Sequence, residues 1–252
     1  MEEHELLKRA EDLCRRSGKT GRITSTAFLT PAERRELETR FYPDYGTRML
    51  FYGGYEESER CVAAFIPEEE AEQEEETPEG VRDLIHVVRF HAYYGEPGHR
   101  DYLGALLASG IARDRLGDIL ISGTETTVFC LPGILGHLLT VDRIGRVSVK
   151  ATEVDPDTVQ IPKRERKEKT FSVMSMRVDA VAAGMFNLSR TACAKQIAEG
   201  NLSLNYSVCM KTDAPVAEGD VISLCGHGKG VVCGRGGSSR KGRQFVQAEI
   251  YI

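Results

Sequence analysis

MRVDAVAAGMFNLSRTACAKQIAEGNLSLN, Met176 to Asn205, reads as two short helices and a strand, with a basic residue at the start of each helix. Val178, Val181, Ala182 and Met185 fall at i, i+3, i+4 and i+7, which gives the first helix one apolar stripe. Ser175 is its expected N-cap, and Gly184 and Asn187 are expected to break it. Ser189 caps a second helix, Arg190 to Glu199, in which Cys193 and Ile197 face inward and Gly200 is the stop. LSLN is then a strand, and APVAEGDVISLCG supplies a turn and another strand, so two helices lean on a small sheet. Arg177 lies near the start of the first helix, Arg190 opens the second, and Thr191 and Lys195 share one face at i, i+4. An arginine gains nothing from the dipole of a helix start, which favours anions. A phosphate there would meet both the guanidinium fork and free backbone N–H groups. The set therefore points to a polyanion, with pairing to Asp179 or Glu199 as the competing reading.

The charge of the whole chain sharpens this point. The 252 residues carry a formal net charge of −5, yet residues 163–252 hold 14 Lys+Arg against 8 Asp+Glu, leaving 19 against 30 in residues 1–162. Eight of those acids lie in PEEEAEQEEETPEG, Pro67 to Gly80, which reads as a solvated loop because like charges packed so densely repel. No run approaches the roughly 18 apolar residues of a membrane span. MEEHELLKR has no apolar core of a secretory signal, so a cytoplasmic protein is expected. The seven cysteines form no C-x-x-C pair and are expected to be buried, reduced thiols. The histidines are scattered without ligand spacing, so neither metal nor cofactor is expected.

Along the chain, Leu6, Leu7, Ala10, Leu13 and Cys14 predict an N-terminal helix. TPAE places Thr30, Pro31 and Glu33 as the capping box of a second. RMLFY and CVAAFI flank GGYEESE as a hairpin. From Leu84 the order is strand LIHVVRF, helix DYLGALLASG, strands DILI and TTVFC, helix GILGHLLT and strand GRVSVK, which is the order of a ferredoxin-like fold. That fold includes the RNA-recognition motif, but the motif's K/R-G-F/Y-G/A-F-V-x-F/Y run is absent. Phe90 and Phe129 are therefore expected to be buried, and base stacking on the sheet is not expected. VDPDTVQIPKRERKEKT marks a linker in which Lys163, Arg164, Arg166 and Lys167 could extend a phosphate-tracking surface. GRGGSSRKGR is the basic tip of a terminal hairpin with strands near Lys229–Cys233 and Gln244–Ile252. The expected layout is α+β and multidomain: an N-terminal α/β unit (1–80), a ferredoxin-like middle domain (81–155), a basic linker (156–170) and the helix-pair domain (171–252).

Arg177, Asp179, Ser189, Arg190, Ile197, Gly200, Asn205, Gly219, Asp220 and Ile222 fall in the register of the S-four-type RNA-binding domain, which this segment resembles; Val178 replaces the usual Leu. FLTPAERRELE, FYGGYEESER, HRDYLGALLASGI and GDILI extend the resemblance over nearly the whole chain to the YlmH family of bacterial proteins. The resemblance implies binding of structured RNA, ribosomal or transfer, on the large ribosomal subunit. It implies a role in quality control or rescue of stalled nascent chains, with an older association with cell division. It also implies RNA contacts at Arg177, Ser189, Arg190, Thr191, Lys195 and Asn205, with Asp179 structural.

Enzyme readings find little support. HRD at His99–Asp101 lacks the kinase Asn, since Leu106 stands there, and the glycine-rich tail contains neither G-x-G-x-x-G nor G-x-x-x-x-G-K-[ST]. Pseudouridine synthases with the same RNA-binding domain carry a G-R-L-D context that is missing. A non-enzymatic RNA binder is expected. An RNA-modifying enzyme with an unrecognised catalytic domain is the first alternative, and a cell-division scaffold whose acidic front part binds a protein partner is the second.

Overall fold

The N-terminal helix forms where its apolar spacing places it. In the computed structural model, which describes residues 3–68, 77–162, 166–238 and 242–251, α1 (Glu3–Thr20) buries Leu6, Ala10, Leu13 and Cys14. After β1 (Thr24–Ser25), α2 (Pro31–Arg40) opens on the expected capping box. Glu33 N–H donates to the Thr30 hydroxyl at 3.3 Å, and Thr30 N–H donates to the Glu33 carboxylate at 2.7 Å. β2 (Thr47–Tyr52) and β3 (Val62–Pro67) form the expected hairpin, and β1 adds to β3 to give the order β1-β3-β2.

A short α3 (Glu79–Arg82) leads into the series read as ferredoxin-like. It comprises β4 (His86–Ala92), α4 (His99–Ala108), β5 (Leu116–Ser122), β6 (Glu125–Cys130), α5 (Pro132–Leu139), a two-residue β7 (Arg143–Ile144) and β8 (Val147–Val154). The sheet order is β5-β6-β4-β8-β7 with every pair antiparallel. This is the ferredoxin-like arrangement with β7 added at one edge. His99–Asp101 has a local structural role: Asp101 accepts from Gly98 N–H at 2.8 Å and starts α4.

Separate cores lie on either side of the boundary expected at residue 80, one with Leu6, Leu37 and Phe65 and one with Val88, Tyr102 and Leu138, and a third cluster joins them. Met1–Pro162 is one compact unit. The face of the five-stranded sheet turned away from α4 and α5 carries Val87, Phe129 and Val154, and these pack with Ala27, Phe28, Val62 and Tyr55 from the N-terminal elements. Buried Asp118 fastens the joint, accepting from Tyr55 Oη at 2.6 Å, Glu59 N–H at 2.8 Å and Arg60 N–H at 3.1 Å. A sheet with apolar residues on both faces needs cover on both, and the N-terminal elements supply the second layer.

The second unit begins at Lys163, so residues 156–170 are not simply a linker. β9 (Arg166–Val173) pairs along its whole length with β14 (Gln244–Tyr251). Its run of charges hid a strand, because an edge strand with one exposed face tolerates them. Then come α6 (Val178–Phe186), α7 (Arg190–Ala198), β10 (Leu202–Leu204), β11 (Ser207–Val208), β12 (Val221–Leu224) and β13 (Gly228–Ser238). The sheet order is β11-β10-β12-β13-β14-β9. Val178, Val181, Ala182, Met185, Cys193 and Ile197 of the helix pair bury against Leu202, Ile222, Val232, Val246 and Ala248 of the sheet. Gly184 does not break α6. It lets the helix lie on Phe171, where a Cβ would come within 2.2 Å of the ring. Asn187, left-handed at φ 58°, ends the helix as expected. The hairpin tip is part strand, and Arg243 is spent on β9, its guanidinium donating to Ser172 O at 2.7 Å.

A close crossing in the first unit gives a direct test. A Cβ on Gly18 of α1 would lie 2.2 Å from the main-chain oxygen of Tyr45. In an open helix Gly→Ala stabilises by up to about 1 kcal/mol. Here Gly18→Ala is expected to destabilise the first unit by about 1–3 kcal/mol, because the obstacle is backbone. Urea unfolding checks the sign.

Candidate nucleic-acid interface

The helix pair is organised around one carboxylate. Asp179 sits in the first turn of α6 with its side chain only 7% exposed. Arg177 grips it with both arms, Nε donating to Oδ1 at 3.2 Å and Nη2 to Oδ2 at 3.3 Å. Arg190, the first residue of α7, donates from Nη2 to Oδ2 at 2.7 Å. The Arg177 and Arg190 side chains remain 40% and 55% exposed. Asp179 thus ties the starts of the two helices together and aims both arginines. Two cations share one buried anion, so the cluster keeps a net positive charge facing solvent. Burial alone would push the Asp179 carboxyl up. Hydrogen bonds from Arg190 and Arg177, with their charges, outweigh that and hold it below the ordinary carboxylate range.

The two helix starts differ in what their backbone offers. Arg177, not Ser175, occupies the N-cap position of α6 and makes no side-chain cap. The first amides of α6 are already taken: Val178 N–H donates to Ala214 O at 2.9 Å and Asp179 N–H to Thr212 O at 3.2 Å. A phosphate could not use them. α7 matches the sequence reading. Ser189 Oγ accepts from Ala192 N–H at 3.1 Å, and the N–H groups of Arg190 and Thr191 have no protein acceptor among the described residues. Thr191 is exposed one turn before Lys195, which is 75% exposed and 3.8 Å from Glu199. Arg177, Ser189, Arg190, Thr191 and Lys195 therefore belong to one helix-pair surface.

Asn205 does not join them. In a left-handed turn at φ 52°, its amide donates to Asp220 Oδ1 at 2.9 Å and accepts from Val221 N–H at 3.0 Å. It fastens the β10–β11 turn to β12. Arg166 points away from the helices, pairing with Glu249 at 3.1 Å and lying over the Tyr251 ring. The strand period decides this, because α6 packs on the face that carries Phe171 and Lys169. Lys167 is exposed on the helix-side register of β9. Lys163 and Arg164 lie outside the described residues.

Two cations escaped the sequence reading. Lys169 Nζ donates to Met185 O at 2.9 Å and to Asn187 Oδ1 at 2.6 Å, closing the C-terminus of α6. Burial, helped by nearby Lys167, lowers its pKa. Lys211 is exposed one residue before Thr212, whose carbonyl holds the start of α6. Lys169 closes the basic run KRERKEK, but its place under α6 depends on Met185 and Asn187; no local pattern marked Lys211. Elsewhere burial pushes the Cys61 thiol up to about 11 and that of Cys130 to about 12, so both are packing residues; against the expectation of buried cysteines, Cys225 and Cys233 are exposed on the strand and turn surface of the second unit. Among the described residues no group of three or more His, Cys, Asp or Glu could hold a metal, and no helix is long and apolar enough to cross a membrane.

The Asp179 cluster carries a pH signature. A carboxyl held below its unfolded value contributes stability that is complete above the unfolded carboxylate pKa and is lost as pH falls through the depressed folded one. Asp179→Asn is expected to cost about 2 kcal/mol at neutral pH and to flatten the acid limb of the second unit's stability profile. Hydrogen exchange of residues 166–251 against pH reads both effects.

Family models match two segments of the first unit. Residues 2–70 match the N-terminal domain model of YlmH, and residues 84–158 match the model described as a putative RNA-binding domain in YlmH. The chain is 28% identical over 230 residues to ribosome-associated protein quality control protein P2 of Bacillus subtilis (strain 168), covering 90% of this chain and 87% of that one. A solved structure of the cell division protein ylmH from Streptococcus pneumoniae aligns with a TM-score of 0.49 and 18% identity over 64% of this chain and 96% of that one. Two YlmH domain models in their native order, together spanning more than half of the residues, establish that the chain belongs to the YlmH family.

Proposed function

We propose that the helix pair of the second unit binds the sugar–phosphate backbone of structured RNA, ribosomal or transfer, and that the protein acts without catalysis on the large ribosomal subunit when nascent chains stall. The observation that carries this reading is the Asp179 cluster. One buried carboxylate orients Arg177 and Arg190 while leaving both guanidiniums open, beside the unpartnered amides of α7 and the exposed Lys195. Oriented guanidiniums lose less freedom when a phosphate arrives, and helix-start amides add donors of matching geometry. The matched RNA-binding domain of the family and the ribosome-associated name of the Bacillus subtilis relative support the RNA and ribosomal setting. A setting among ribosomes is cytoplasmic.

Binding to ribosomal RNA hairpins and co-sedimentation with large subunits test the proposal. With about six phosphates contacted, affinity should fall roughly 10³-fold between 50 and 200 mM salt. Arg190→Ala with Lys195→Ala should weaken binding while the second unit stays folded. Lys19→Ala with Arg22→Ala, which removes two exposed cations of the first unit, should leave it unchanged. Equal loss from both pairs would reject the assigned surface, and any nucleoside modification that depends on the protein would reject the binding-only reading.

A further inference from the structure

The five-stranded sheet of the first unit has two unlike faces. One packs on α4 and α5 through Val88, Phe90, Ala92, Val128 and Val149. Along the other face the chemistry changes from row to row. At one end Val87 stands opposite Phe129 and Val154, and Phe28 and Val62 cover them. One step along the strands Arg89 stands opposite Thr127 and Thr152, and a further step brings His91 opposite Glu125 and Lys150. Arg143 of β7 pairs with Ser148 at the far edge. These outer rows are exposed or half-exposed. Tyr93, just after β4, is 62% exposed and meets the His91 ring edge-on, with centroids 6.0 Å apart. Arg89 and His91 lean on Glu125, at 3.7 Å and 3.9 Å, which steadies the row beneath the tyrosine.

We infer that this open half of the sheet binds unpaired RNA, a base stacking on Tyr93 while Arg89, Lys150 and Arg143 meet the neighbouring phosphates. Charge complementarity favours an anionic occupant, since these outer rows carry three permanent cations, Arg89, Lys150 and Arg143, and one carboxylate, Glu125. The open aromatic ring selects nucleic acid among anions: a base has a π-face to lay on it, whereas an acidic peptide would satisfy the cations and leave the ring unused. Stacking needs no particular base, so single strands are bound with little regard to sequence. The RNA-recognition signature does not mark this surface. Phe129 lies under the N-terminal elements and Phe90 on the helix side, while the exposed ring stands beyond the end of the strand. The surface lies within the residues that match the family's putative RNA-binding domain, to which the inference adds the face, the residues and the strandedness of the ligand. It is independent of the helix pair.

The test uses the full chain, a short fluorescein-labelled oligouridine, and Arg190→Ala with Lys195→Ala as background, so that binding by the helix pair is already weakened. In that background Tyr93→Ala is expected to weaken oligouridine binding about tenfold. Tyr93→Phe should retain it, and Lys150→Ala should weaken it and lower its salt dependence. A base-paired hairpin should be insensitive to Tyr93→Ala. Equal oligouridine affinity with tyrosine or alanine at position 93 overturns the inference, as does a Tyr93→Ala effect seen with an oligoglutamate peptide and not with oligouridine. If the background variant itself binds hairpins like the wild type, the helix-pair reading fails while the Tyr93 result stands on its own.

Discussion

Asp179 is the constraint on which the candidate interface depends. A carboxylate this deeply placed would be costly alone, and it persists because two guanidiniums neutralise it. The same bonds join the starts of α6 and α7 and set the direction of both arginines. Structural and binding roles are thus divided between an acid that is hidden and bases that are displayed. An arginine at the first position of a helix is unfavourable by the dipole argument, and Arg190 is tolerated there because Asp179 supplies the negative charge that the position prefers.

A comparable division shapes the first unit. Its sheet is apolar on the face towards α4 and α5, whereas the opposite face is apolar for only part of its length. The N-terminal hairpin and the segment through Phe28 cover that part and stop where the side chains turn polar. Asp118, accepting three hydrogen bonds from residues 55–60, fixes the place at which they stop. What a free-standing ferredoxin-like domain would use as a whole binding face is here half interior and half surface.

Much of this was legible in local pattern. The capping box at Thr30 and Glu33, the Ser189 cap, the Gly200 stop and the strand–helix order from Leu84 depend on neighbours within one turn or one strand, and each element appeared where it was read. Misreadings came where the deciding partner is distant in sequence. Lys163 to Lys169 looked like a linker because nothing nearby reveals that β14, some eighty residues later, pairs with most of it. The Asn205 amide is committed to Asp220 and Val221, partners that its own segment does not reveal. Gly184 looked like a helix breaker, although the Phe171 ring makes it a contact point.

Taken alone, the sequence determined the fold class, the order of elements and the concentration of positive charge in the last third of the chain, because hydrophobic period, caps and composition are short-range properties. Tertiary structure alone decided which of those charges act together. Strand alternation turned Arg166 away from the helices, the 212–214 loop closed the first amides of α6, and a third apolar cluster joined two expected domains. Burial and pairing depend on three-dimensional neighbours, and a residue's availability to a ligand is what those neighbours leave unused.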